Sequence, residues 1–307
     1  MSRTVCLTAI VPATGKPETL EGVRAAIEQA AAPPEEIIVV DGPPGAGPAE
    51  ARNAGAQRAS GDVLVFVDAD VLVHRDAFVR IRDAFDSDPG LDGVFGSYDD
   101  EPAQDGTVSA FRNLLHHHVH QTSPGPAQTF WAGLGAVRKE AFLGVGGFDD
   151  AYSVPSIEDI ELGLRLTDAG HRLELAPEIQ GKHLKAWTLP GMIRSDVLDR
   201  AVPWLLLLLS REAPSAALNL QWRHRVSALA SVGLAGALAA RRFRAFLPAA
   251  ALLIALNHAF YGLLWEKLGP RRATLGVGLH VVHHLSAVAA SPVALWVYLR
   301  RRADSQL

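Results

Sequence analysis

Over the first 190 residues, apolar and polar positions switch between two rhythms. Residues 5–11 are a short, partly β-branched apolar run and predict a strand. Residues 18–31 space Leu20, Val23, Ala26, Ile27 and Ala30 at helical intervals, and Pro33 and Pro34 stop that helix. Residues 36–40 predict a second buried strand that closes on Asp41, and residues 42–48 a Gly/Pro loop. A short helix over 49–59 ends at Ser60-Gly61. A third strand over 63–67 then runs straight into Asp68-Ala69-Asp70. This alternation predicts an α/β fold with a doubly wound, mostly parallel sheet, whose ligands bind beyond the carboxyl ends of the strands. Asp41 and Asp68 both stand at such ends. The middle is less regular: it predicts strands at 93–98, 130–137 and 172–176, a helix at 111–120, and an amphipathic helix at 157–169.

After residue 190 the pattern changes. Residues 245–265 carry no charged side chain over 21 positions, and residues 273–299 none over 27. Both exceed the roughly 20 apolar residues that a membrane helix needs. They predict a transmembrane hairpin. Residues 226–240 are charge-free over 15 positions, a shorter or re-entrant third helix. Residues 201–209 are apolar but short; with Trp204 and the flanking Arg200 and Arg211 they predict an interfacial helix. The expected organisation is an α/β domain over 1–190, a linker with interfacial helices over 191–225, and two or three transmembrane helices over 226–307.

Charge divides the chain at a similar place. Residues 211–307 carry a net charge of +9 and the first 210 residues −13. Basic residues flank every apolar segment, which suits anionic lipid headgroups but gives no inside–outside asymmetry. The single cysteine, Cys6, excludes an intrachain disulfide and fits a reducing compartment. The first apolar run is too short for a signal core. The expectation is a multi-pass membrane protein with its α/β domain in the cytoplasm.

Asp68-Ala69-Asp70 offers two carboxylates on one tight turn to a hard divalent cation such as Mn²⁺ or Mg²⁺, which typically binds through carboxylates plus substrate phosphates. The alternative is a solvated turn. Glu158 and Asp159 open a helix. Asp159 can act as a general base, or Ser156 and Asp159 can form a capping box with no catalytic meaning. His183, between Lys182 and Lys185, is either structural or a further metal ligand. Arg52 either forks onto a phosphate or lies solvated on its helix. Gly45-Ala46-Gly47 is followed by Glu50 where a dinucleotide fingerprint needs glycine, which excludes that site. His116, His117, His118 and His120 lie on one predicted helix and read as solvated or partner-facing. His258, His280, His283 and His284 fall inside the predicted membrane helices; hydrogen bonding between helices is the preferred reading for them.

As an ordered set, these motifs resemble the family 2 glycosyltransferases of the GT-A fold. The likeness spans about residues 5–190. Ala9-Ile10-Val11-Pro12-Ala13 looks like the family's first strand, whose end meets the nucleotide base. Glu18 takes the place of an acidic residue in the following loop, and Asp41 that of the base-contacting aspartate. Ala51-Arg52-Asn53-Ala54-Gly55 and Asp68-Ala69-Asp70 are the closest matches. Gly146-Gly147-Phe148-Asp149 followed by Glu158-Asp159 looks like the acceptor-side motif, in which the second carboxylate acts as base. His183 falls where GT-A enzymes place a metal ligand. The departure is Gly42-Pro43-Pro44, which replaces the usual acidic, serine-bearing loop.

The resemblance implies a metal-dependent transferase moving a sugar from a nucleotide-diphosphate donor to a lipid or glycan acceptor, with inversion. It implies Asp159 and Glu158 as catalytic residues, and Pro12, Ala13, Glu18, Asp41, Arg52, Asp68 and Gly133 as the donor site. Asp68, Asp70 and His183 are the implied metal ligands. Expected partners are the nucleotide sugar, the acceptor and membrane lipids, with no nucleic acid. The rival readings are a nucleotidyltransferase using the same metal and phosphates, and a non-catalytic membrane scaffold.

Overall fold

The structure, a computed structural model, describes residues 5–15, 17–41, 47–210 and 222–304. The Gly42-Pro43-Pro44 departure and Arg211 lie outside the described residues. The chain divides into two compact units. One comprises residues 1–104 and 119–185; the other comprises 105–118 and 186–307.

The first unit is an α/β layer structure around one mixed sheet. It opens β1 (Leu7–Pro12), α1 (Leu20–Glu28), β2 (Glu36–Val40), α2 (Pro48–Arg58) and β3 (Val63–Val67). β1 and β3 are buried along their whole length, as expected of strands covered on both faces. β1 pairs in parallel with β2 on one side and β3 on the other, so this half of the sheet follows the alternation in the sequence.

Beyond β3 the pairing changes direction. β4 (Val71–Val73), α3 (Ala77–Ser87), β5 (Gly93–Tyr98), β6 (Gly125–Ala127), β7 (Leu134–Arg138), α5 (Lys139–Gly144), α6 (Glu158–Asp168) and β8 (Leu173–His183) follow in order, with α4 (Thr107–Gln121) between β5 and β6 in the chain but belonging to the second unit up to residue 118. The strand order is β2-β1-β3-β7-β5-β8-β4, with β6 on β8. β7 runs antiparallel to both β3 and β5, and β4 and β6 run antiparallel to β8. β5 and β8 are parallel. The sheet is therefore mixed rather than mostly parallel. The core lies between sheet and helices, with Phe66, Phe78, Phe85 and Phe95 fully buried.

The second unit is helical. α7 (Leu189–Arg194) leads into a π-helix at Ser195–Ala201 and then α8 (Val202–Ser210). α9 (Trp222–Ala239) and α10 (Phe243–Asp304) complete it. Among the described residues, Phe243–Ala303 is the one helix long and apolar enough to cross a membrane. It is not straight. Its backbone leaves helical geometry at Asn257 and Gly269. The Tyr261 hydroxyl lies 3.0 Å from His280 Nδ1, although 19 residues of straight helix would separate them by roughly 28 Å. The chain therefore reverses at Gly269, where φ is +72° and Pro270 begins the returning segment. The reversal falls between the two charge-free segments. At the Asn257 break, the Asn257 amide donates to Ser227 Oγ of α9 at 2.9 Å and to the Leu253 carbonyl at 2.8 Å.

Candidate active site

The order β2-β1-β3 sets three strand ends side by side, at about 4.8 Å per strand. Asp41 follows β2, Pro12 and Ala13 close β1, and Asp68 follows β3. The Ala13 amide donates to the Val40 carbonyl at 2.9 Å, which holds the first two ends together. Beside them an open cleft of about 420 Å³ is lined by Ala13, Pro17, Glu18, Leu20, Glu21, Val39 and Asp41. Ala13, Glu18 and Asp41 are thus gathered into one cavity, with Pro12 at its strand end.

The Asp68-Ala69-Asp70 turn is clamped through its backbone. The Asp68 amide donates to the Gly133 carbonyl at 3.1 Å, and the Leu184 amide to the Asp70 carbonyl at 2.8 Å. The Thr19 hydroxyl donates to the Ala69 carbonyl. Two strands that the sequence predicts, though not their antiparallel pairing with β3 and β4, supply two of these clamps: Gly133 precedes β7, and Leu184 follows β8. Gly133 is held close under the Trp131 indole, where a Cβ would lie 2.4 Å from the ring.

The two carboxylates of the turn have different partners. Asp70 lies 3.6 Å from His183 Nε2. His183 ends β8, paired with Val71, and its ring stacks on Tyr98 at 4.2 Å. Burial opposes charge on Asp70, but His183 and Lys185 outweigh it and hold the carboxyl below the ordinary range. Asp68 instead accepts from Arg52 at 2.6 Å. Burial pushes the Asp68 carboxyl up, and Asp70 and Glu158 add to this against the pull of Arg52.

Arg52 is not solvated. Its residue is 4% exposed, and its second terminal nitrogen donates to Glu158 at 2.8 Å. The guanidinium also sits 5.3 Å from the Phe148 ring centroid. Both forks are thus spent on carboxylates, and Arg52 ties α2 to the β3 end and to α6. Its neighbour Asn53 pins the Phe148 backbone in both directions, at 2.8 and 2.9 Å. Neither long-range role shows in local spacing.

Glu158 is buried, and its other oxygen accepts from the Ser156 amide at 2.8 Å. The helix begins at Glu158, its N-cap is Ile157, and that cap makes no side-chain bond. Asp159 turns toward the β7 approach. It accepts from the Ala132 amide at 3.2 Å and from the Ile160 amide at 2.8 Å. Close packing makes this possible, because a Cβ on Gly163 would lie 2.3 Å from the Phe130 nitrogen.

Among the described residues, no three His, Cys, Asp or Glu side chains converge as a finished metal cage. The donor set nonetheless fits a hard divalent ion completed by substrate phosphates, since Asp70 and His183 face one another across 3.6 Å and Asp68 adjoins them in the turn. The α4 histidines are not a solvated face throughout. His120 is buried, bonds the Gly96 carbonyl through Nδ1 at 2.8 Å, and packs against Phe95 and Trp131.

An α/β unit with carboxylates at neighbouring strand ends and a cleft beside them fits the GT-A fold that the sequence resembles. The family model of glycosyl transferase family 2 matches residues 16–145, which lie mostly in this unit. An N-acetylgalactosaminyltransferase 7 of Drosophila melanogaster is 25% identical over 162 residues, covering 45% of this chain. The chain spans about a quarter of that relative's length, with 27% covered. The solved mannosyltransferase PcManGT from Pyrobaculum calidifontis, in complex with GDP-Man and Mn²⁺, superposes with a TM-score of 0.59 at 18% identity. It covers 94% of this chain and 88% of its own. A GalNAc-T7 structure with UDP, GalNAc and Mn²⁺ gives a TM-score of 0.46 at 14% identity, covering 60% of this chain and 44% of its own.

Proposed function

We propose that this chain is a metal-dependent glycosyltransferase that moves a sugar from a nucleotide-diphosphate donor to a membrane-associated lipid or glycan acceptor, with inversion. One observation carries the reading: the cleft of Ala13, Glu18 and Asp41 and the Asp68-Ala69-Asp70 turn lie along one row of strand ends. In this reading the nucleoside occupies the cleft, and the diphosphate lies toward Asp68 and Asp70. Asp70 and His183, with Asp68 beside them, hold a Mn²⁺ or Mg²⁺ ion, which when bound offsets negative charge on the departing diphosphate.

Asp159 is the base. Its carboxylate is oriented by the Ala132 and Ile160 amides. The acceptor oxygen forms a bond to the anomeric carbon, the bond to the diphosphate oxygen breaks, and the acceptor proton passes to Asp159. Glu158 acts through Arg52, to which it is bonded. Arg52 sets Asp68 rather than reaching a phosphate itself.

The two arms of α10 cross the bilayer as a hairpin, α9 enters as a shorter helix, and α8 lies in the interface. Support comes from the large apolar side chains these helices expose, among them Leu247, Ile254, Leu295 and Trp296. The single cysteine supports placing the α/β unit in the reducing cytoplasm.

Product analysis with labelled nucleotide sugars and lipid or glycan acceptors tests the proposal. Sugar on the acceptor with release of nucleoside diphosphate is expected. Transfer of the nucleotide itself would point to a nucleotidyltransferase, and no product from any donor would favour a scaffold.

A further inference from the structure

The helical unit buries histidines that the proposed transfer reaction does not use. His280, His283 and His284 stand on the returning arm of α10. Their ring centroids are 4.3 Å apart for His280 and His284, and 5.7 Å apart for His283 and His284. His280 and His284 are 2% and 4% exposed. Spaced four residues apart, they share one helix face.

Hydrogen bonding between helices accounts for two of the three rings. His280 Nδ1 meets the Tyr261 hydroxyl at 3.0 Å, and His283 Nδ1 meets the buried Asp196 carboxylate at 2.8 Å. It does not account for His284, whose Nε2 is buried without any hydrogen-bond partner. A buried imidazole nitrogen left unpaired is uncommon and calls for a reason, such as an ion. The surrounding pattern fits one. A metal-binding histidine typically commits its other ring nitrogen to an oxygen partner, which fixes ring and tautomer. The Tyr261 contact does this for His280 and leaves Nε2 to coordinate. His224 of α9 lies within electrostatic reach of both rings.

We infer that His280 and His284 form a two-imidazole binding site for a borderline divalent metal ion of the Zn²⁺ class. The chemistry differs from that of the strand-end carboxylates: neutral nitrogen donors select Zn²⁺, Cu²⁺ or Ni²⁺, whereas carboxylates and phosphates select Mg²⁺ or Mn²⁺. No third ready ligand stands in the shell among the described residues, so water fills the remaining positions. An ion here stiffens one helix turn at the level of the Tyr261 contact between the two arms.

The test uses the full chain in detergent with Asp68→Asn and Asp70→Asn in the background, so that the strand-end carboxylates do not contribute. Co²⁺ is titrated by visible absorption and Zn²⁺ by calorimetry. One ion per chain is expected, with the absorption of nitrogen-coordinated cobalt. His280→Gln together with His284→Gln abolishes it. Tyr261→Phe, which keeps the packing, weakens it by about 10–100-fold, the usual effect of losing an outer partner. His258→Gln, on the exposed face of α10, leaves it unchanged. If the double variant does not fold, each single variant reads the same contact. Undiminished binding after loss of either histidine, or no nitrogen-coordinated cobalt in the parent, overturns the inference.

Discussion

Phe66 on β3 is fully buried, with Phe130, Phe142 and Phe148 around it at ring-centroid distances of 6.4, 5.4 and 5.2 Å. Leu295 and Trp296 on α10 are 50% and 58% exposed. Among the described residues of the α/β unit, the large apolar side chains that reach solvent are Leu143 and Val154; in the helical unit they recur along every long helix. Both units bury polar groups: Arg52, Asp99, Glu158 and His183 in the first, and Asp196, Asn257, His280 and His284 in the second. The difference lies in the apolar surface. That of the first unit suits water outside; that of the second suits the apolar surroundings proposed above, in which exposed leucines cost nothing.

The contrast can be tested by substitution, beginning with the largest effect. Asp159→Asn is expected to lower turnover by about 10²–10⁴-fold with donor binding retained, the usual contribution of a general base. Leu295→Ala, assayed in the same detergent, should leave turnover unchanged. Near-normal turnover in a folded Asp159→Asn variant would remove the base assignment.

Next come two core changes. Arg52→Ala leaves Glu158 buried without its counter-charge, and breaking such a pair costs about 3–5 kcal/mol. Phe66→Ala opens a cavity and costs about 3–5 kcal/mol. Leu295→Ala should change stability by less than about 0.5 kcal/mol. Chemical denaturation in one detergent compares all three. A large loss for Leu295→Ala would mean that its face is packed against protein rather than lipid.

The smallest effect concerns His74. Its bond to Asp99 at 3.0 Å raises the imidazole above its ordinary value. The folded form holds the proton more tightly, so this stabilisation is complete below the ordinary histidine range and fades as pH rises through the raised folded value. Melting curves of wild type and His74→Gln should therefore differ most below the ordinary histidine range and converge as pH rises above the raised folded value. A gap that widens with pH would refute the pairing.

How much of this was legible in the sequence depended on distance along the chain. β1, β2 and β3 announce themselves as uniform apolar runs, and Asp41 and Asp68 are placed by standing at their ends. The strand expected over 130–137 begins only at Leu134, because Phe130 and Ala132 serve the close approach of α6 instead. The strand expected to end at Ala176 continues to His183, across Pro177 and a register shift in its pairing with β5. An alternating pattern cannot be followed through such an irregularity. The Arg52–Glu158 pair joins residues 106 positions apart, and no local period reports it. The start of α6 stayed ambiguous for the opposite reason: Ser156 and Asp159 satisfy a local capping rule, yet the helix starts at Glu158 and Asp159 turns toward Ala132. In the helical unit, the charge-free segments pointed to the hairpin, while its turn at Gly269 and the burial of His284 without a partner needed the fold.

The central claim is that the Asp68-Ala69-Asp70 turn serves a metal-dependent nucleotide site. Calorimetric titration of UDP and GDP, with and without Mn²⁺, against the wild type and Asp70→Ala tests it most directly. Mn²⁺ should strengthen binding of at least one of these nucleotides to the wild type and of neither to the variant. Equal metal-dependent affinity in both proteins would contradict the claim.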